Sequence, residues 1–208
     1  MIKLIVFDLR KTLAYRDIPE DRSVTMQNAL HLTIPHEKFV KLYEISLQTR
    51  RRESKFDAYA HLCKTLWLEA TEERVQLLIS IADHAEKRAQ AYPHTISMLK
   101  QLKKAWYKLW IISNNWNFAL ERVKHNTKIL DYIDYPLFSF EIGIIKPDLK
   151  IFEKMLELSC RKPEEIIMIW DKIWDDVLPP RKLWMNSCYY ENYNKLKQDL
   201  EKFNIFLI

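Results

Sequence analysis

The sequence predicts an α/β fold, a doubly wound parallel sheet carrying an inserted all-helical segment, and three observations predict it. Residues 2–8 are a continuous apolar run closing on Asp8, the pattern of a parallel strand buried on both faces. Residues from about 16 to 90 carry apolar side chains at three- and four-residue spacing and contain no convincing strand. Beyond Pro93 the pattern alternates between strand and helix, as a doubly wound sheet requires.

Taken in order, the first strand leads into helical stretches at Glu37 to Arg51, Phe56 to Leu66 and Glu72 to Ala91. Thr71 followed by Glu72 and Glu73 supplies a capping hydroxyl and early acids for the last of these. There follow a helix at 94–104, a strand at 108–113, a helix at 117–125 and a strand near 136–140. The order then runs through a helix at 148–158, a strand at 165–170, a helix at 176–183 and a further strand at 186–190. The division this implies is a core of residues 1–15 and 91–208 with a helical cap at 16–90.

Composition bounds the rest. The 208 residues are 48% apolar, enough for a substantial core. The net charge of +5 comes from basic residues scattered over helices, and the short run Arg50-Arg51-Arg52 is followed by Glu53. That distribution reads as solvated helix surface and excludes a nucleic-acid stripe. Arg16, Arg50 and Arg51 are the basic residues placed to meet an anionic group, against the alternative of a solvated face. Cys63, Cys160 and Cys188 are odd in number and lack metal-like spacing, the usage of reduced thiols in a cytoplasmic protein. No apolar run approaches the roughly 18 residues of a membrane span, and the start Met1-Ile2-Lys3 enters a strand with no secretory signal.

The residues that carry chemistry lie at strand ends. Asp8, Ser113 and Asp171 each close a predicted strand, and ligands of open α/β sheets bind beyond the carboxyl ends of the strands. Lys146 precedes Pro147-Asp148 at a predicted helix start, and Asp176 follows Asp171 by five residues. A nucleophilic carboxylate, a hydroxyl, a cation and a distal acidic pair are the parts that phosphoryl transfer through an acyl phosphate needs.

Leu4-Ile5-Val6-Phe7-Asp8-Leu9-Arg10-Lys11-Thr12-Leu13, Ile111-Ile112-Ser113-Asn114, Lys146-Pro147-Asp148 and the segment from Ile166 to Val177 together resemble the four motifs of the haloacid dehalogenase-like (HAD) hydrolases. The resemblance covers essentially the whole chain and implies a Rossmann-like core with a substrate-selecting helical cap. It implies Asp8 as nucleophile, Ser113 and Asn114 as phosphate-binding residues, and Lys146 as the cation that neutralises both nucleophile and phosphate. It further implies Mg²⁺ held by Asp8, Asp171 and Asp176, and a small phosphorylated metabolite as substrate.

Two features depart from that pattern. Where HAD phosphatases usually carry a second Asp, two residues after the nucleophile, this chain has Arg10. A guanidinium stays protonated at neutral pH and is a poor general base, so the catalytic position is filled by a group that cannot exchange protons. The resemblance therefore leaves three chemistries open: phosphomonoester hydrolysis, 2-haloacid dehalogenation, which needs no second Asp, and phosphate binding without turnover. The second departure is one glycine against seven tryptophans, where average glycine usage is about 7%. Trp67, Trp106, Trp110, Trp116, Trp170, Trp174 and Trp184 all fall where HAD chains commonly carry glycine. A gene in which UGA encodes glycine, translated with UGA read as tryptophan, produces this pattern.

Overall fold

The computed structural model describes residues 1–171 and 178–207, with the side chains of 178 and 179 also outside the description. Its centre is a five-stranded parallel sheet of β1 (Leu4–Phe7), β4 (Lys108–Ser113), β5 (Tyr135–Phe138), β6 (Ile166–Trp170) and β7 (Asn186–Tyr189), ordered β5-β4-β1-β6-β7. β1 is innermost, hydrogen-bonded to β4 on one side and β6 on the other, with Phe7 level with Ile111 and Ile169. A strand paired on both edges and packed on both faces has no water to face, which is why Leu-Ile-Val-Phe is buried throughout.

The pleat sorts the two faces. Ile5, Phe7, Leu109, Ile111, Ile167 and Ile169 meet α5 (Thr95–Lys104) and α10 (Tyr193–Glu201). Leu4, Val6, Ile112 and Met168 meet Ile151, Phe152 and Met155 of α8 (Leu149–Ser159). The helices α6 (Asn117–Asn126), α7 (Ser139–Ile142) and the described part of α9 (Leu178–Lys182) complete the crossovers.

Residues 22–86 form four helices: α1 (Arg22–Ala29), α2 (His36–Gln48), α3 (Lys55–Thr65) and α4 (Glu72–Glu86). They bury their own apolar cluster, including Phe39, Tyr59, Leu62 and Leu78, and close it against Trp116 and Ala119 at the start of α6. Thr71 caps α4 as its sequence indicates, its hydroxyl accepting from the Arg74 amide at 3.3 Å.

Some boundaries differ from the sequence reading. The stretch read as strandless begins and ends in a two-stranded antiparallel ribbon, β2 (Ala14–Arg16) paired with β3 (Ala89–Ala91), so α4 stops at Glu86 rather than reaching Ala91. Three-residue strands such as Ala-Gln-Ala carry no β-branched signal, and only the partner 75 residues away makes them strands. α2 ends at Gln48, so Arg50 to Arg52 leave the helix: Arg50 is exposed, whereas Arg52 is buried and donates to the Ser46 carbonyl. α10 has no counterpart in the sequence reading. Cys63, Cys160 and Cys188 are all free thiols, and no helix among the described residues is long and apolar enough to cross a membrane.

Candidate functional site

The parallel sheet brings Asp8, Ser113 and Asp171 to one rim, because β1, β4 and β6 all end there. The Asp8 amide donates to the Ile169 carbonyl at 2.9 Å, tying the residue to the end of β6. Asp8, Arg10, Ser113, Asn114, Lys146 and Asp171 line one pocket. Asp176, Asp175 and Trp174 lie outside the described residues.

Lys146 reaches Asp8 directly, Nζ standing 3.0 Å from Oδ1 with both side chains buried. A buried pair of this kind repays its desolvation only with good geometry and further partners, and the chain supplies the positioning. Asn114 clasps the Lys146 backbone, donating from Nδ2 to its carbonyl at 3.0 Å and accepting its amide at 2.7 Å. The loop that delivers Lys146 starts at Gly143, whose φ of +75° closes α7 in the left-handed region that favours glycine. It ends at Asp148, which caps α8 by accepting from the Lys150 amide at 3.0 Å. The Lys146 ammonium also stands 5.5 Å over the Trp170 ring. Asn114 thus serves as the positioner of Lys146 as well as a wall of the pocket.

Arg10 lies on the pocket wall with Nη1 3.9 Å from Asp21 Oδ2. Burial alone would push the Asp21 carboxyl up, but Arg10 beside it and the Ser23 amide and hydroxyl hold it well below the usual carboxylate range. Asp21 is spent on capping α1 and pairing Arg10. Lys11 adopts φ +64°, with its amide donating to the Ala14 carbonyl at 2.6 Å, so the chain doubles back from β1 into β2.

Several pocket residues escaped the sequence reading. Lys11, Arg22, Glu44 and Gln48 line it, contributed by the turn after Asp8 and by α1 and α2. The left-handed turn at Lys11 carries none of the usual turn residues, so nothing local announced it. Arg22 is buried with Nη1 2.8 Å from Glu86 Oε1, a pairing across 64 residues that no local pattern announces. Arg16 lines the pocket as the sequence allowed, while Arg50 and Arg51 do not; Arg51 is exposed, 3.9 Å from Glu141.

For a divalent cation the described donors are the Asp8 and Asp171 carboxylates. No cluster of three or more His, Cys, Asp or Glu side chains forms among the described residues. Mg²⁺ keeps several waters and takes one or two carboxylates, so two acids at adjacent strand ends fit that ion.

A family model described as haloacid dehalogenase-like hydrolase matches residues 5–189, which include Asp8, Ser113, Lys146 and Asp171. The glyceraldehyde 3-phosphate phosphatase of Pyrococcus furiosus is 29% identical over 212 aligned positions, covering 96% of this chain and 85% of its own length. Among solved structures, a HAD family enzyme of Bacteroides thetaiotaomicron in complex with magnesium and inorganic phosphate superposes with a TM-score of 0.67 at 15% identity, over 94% of this chain and 99% of that one. A 2-haloacid dehalogenase of Pseudomonas syringae gives 0.59 at 23% identity, over 91% and 86%. With the strand-end carboxylate, the lysine paired to it and the sheet order all in place, the family match gives the site its setting: the chain belongs to the haloacid dehalogenase-like hydrolases.

Proposed function

We propose that the chain is a Mg²⁺-dependent phosphomonoesterase working through an aspartyl-phosphate on Asp8, with residues 16–90 acting as a cap over the pocket. The observation that carries this reading is the buried 3.0 Å pair between Asp8 and Lys146 at the rim where Ser113 and Asp171 also end their strands. The likeness to glyceraldehyde 3-phosphate phosphatases supports phosphate-ester chemistry over dehalogenation, and a small phosphorylated metabolite is the substrate class.

In the first step an Asp8 carboxylate oxygen attacks phosphorus; the new O–P bond forms as the ester P–O bond breaks and the leaving oxygen takes a proton from water. In the second, water attacks the phosphoryl phosphorus, the Asp8 O–P bond breaks, and inorganic phosphate leaves with the carboxylate restored. Lys146 holds the nucleophile in place and offsets the charge of the phosphoryl oxygens, and Ser113 with the neighbouring backbone orients them. Mg²⁺ on Asp8 and Asp171, with Asp176 as a further candidate ligand, supplies charge neutralisation when bound.

Arg10 stands where an acid-base residue is usual, and a guanidinium is a poor general acid or base, which favours esters whose leaving group needs no protonation. The decisive experiment is therefore hydrolysis of p-nitrophenyl phosphate with Mg²⁺ by the wild type and Asp8→Asn. Turnover is expected in the wild type and absent in the variant; a variant within about tenfold of wild type, less than ~1.4 kcal/mol of barrier, removes Asp8 from the mechanism. Turnover of a 2-haloacid in place of the phosphate ester establishes the dehalogenase instead.

A further inference from the structure

The pocket that holds Asp8 and Lys146 has further cations in its lining. Arg10, Lys11, Arg16 and Arg22 all reach it, and the carboxylates that answer them are few. Asp21 is 3.9 Å from Arg10. Glu86 is buried and gives its Oε1 to Arg22 at 2.8 Å and to the Trp116 indole at 3.1 Å. Arg16, half-buried on β2, makes no side-chain hydrogen bond and no close ion pair among the described residues. Burial, with Arg22 and Arg10 facing it, pushes its guanidinium down to about 9, against a weaker opposing pull from Glu86. Glu44, which lines the same pocket, is already engaged within the molecule.

Withdrawing a cation from water without a partner is unfavourable, and a guanidinium is the group best shaped to take a planar or tetrahedral anion through two parallel N–H bonds. We propose that Arg16, with Arg10 lining the same pocket, forms a second anion subsite that selects phosphate esters carrying a further anionic group, a carboxylate or a second phosphate. The phosphoryl end meets Asp8, Ser113 and Lys146, and the anionic tail meets Arg16 in the same pocket. Arg10 then belongs to the recognition of the tail, which gives a physical role to the residue that departs from the family pattern. This inference rests on the phosphate-site reading above.

The test is equilibrium binding, which does not depend on turnover. With Mg²⁺ present, affinities are measured calorimetrically for propylphosphonate, phosphonopropionate and trimethylenediphosphonate with the wild type, Arg16→Gln and Arg16→Lys. The wild type is expected to bind at least one of the two doubly anionic ligands about tenfold or more tightly than propylphosphonate, the scale of a charge-assisted pair. Which one gains decides between carboxylate and phosphate. Arg16→Gln should erase the preference and Arg16→Lys should keep part of it. Equal binding of all three ligands by the wild type overturns the subsite while leaving the phosphate site standing. Binding of none overturns both readings. If Arg16→Gln does not fold, the wild-type preference and its loss in Arg16→Lys at raised salt still decide the matter, since a preference indifferent to both belongs to another group.

Discussion

At the scale of the residue, backbone conformation says what the side chains at several positions ought to be. Trp67, Trp106 and Trp184 have φ of 56°, 67° and 62°. Each is the first residue past a helix cap, after α3, α5 and α9, and each helix closes with a pair of bonds from the next two amides. Trp67 donates to the Lys64 carbonyl and Leu68 to that of Cys63; Trp106 to Lys103 and Tyr107 to Leu102; Trp184 to Arg181 and Met185 to Pro180. That is the Schellman closure, where glycine is usual because a Cβ meets the following carbonyl oxygen. The indoles are 81%, 92% and 85% exposed and so return almost no packing. Changing all three to glycine is expected to raise stability by about 1 kcal/mol each, read as a shift in the denaturant midpoint. No gain would mean that the tryptophans suit these turns. Trp110, Trp116 and Trp170 are different, being buried with their rings packed. Yet the Trp170 indole nitrogen has no hydrogen-bond partner among the described residues, a cost a glycine would not carry. The codons are the direct check on a UGA origin: UGG at any of the seven positions counts against it. His31 closes α1 in the same left-handed way, so the chain tolerates other side chains there, and composition alone could not separate these cases.

At the scale of the element, what was legible in the sequence was whatever is local. The strand at 2–8, the cap at Thr71 and the opening of α8 at Asp148 follow from runs, periods and caps within a few residues. What was not legible depends on distant partners: β2 on β3, Arg22 on Glu86, and the burial of Arg52 against Asn117, whose Oδ1 accepts the Arg52 amide at 3.0 Å. The start of α5 shows a further example. His94 precedes the helix with its ring 4.2 Å from that of Tyr193, and its Nε2 lies 2.9 Å from the Tyr190 hydroxyl. Burial holds the His94 imidazole below its ordinary value. The unfolded chain's histidine takes up a proton near about pH 6.5 while the folded one resists, so stability is full above that pH and is lost as pH falls through the folded value. The sign is that of a buried neutral base. Stability should therefore decline as pH falls below about 6.5, and His94→Phe should flatten part of the decline. His61, lowered by burial and by Arg52 and Arg50, carries the same sign and accounts for a remainder. Denaturation curves that fall in parallel for wild type and His94→Phe would take His94 out of this balance.

At the scale of the whole molecule, the sheet is a device for convergence. Asp8 and Asp171 are 163 positions apart in sequence, yet parallel pairing of β1 with β6 sets their strand ends side by side. The same arrangement places two carboxylates at one rim, where Lys146 pairs with Asp8. Like charges held close favour any cation that can bridge them, and a ligand bound by the folded state alone stabilises it by mass action. Mg²⁺ is therefore expected to raise the melting temperature, with about 2.7 kcal/mol of stabilisation at a concentration a hundredfold above its dissociation constant. Asp171→Ala should abolish the Mg²⁺ response. Wild type and Asp171→Ala responding equally to Mg²⁺ would place the cation elsewhere. A wild type indifferent to Mg²⁺ would leave Lys146 as the counter-charge for Asp8 and remove the metal from the chemistry.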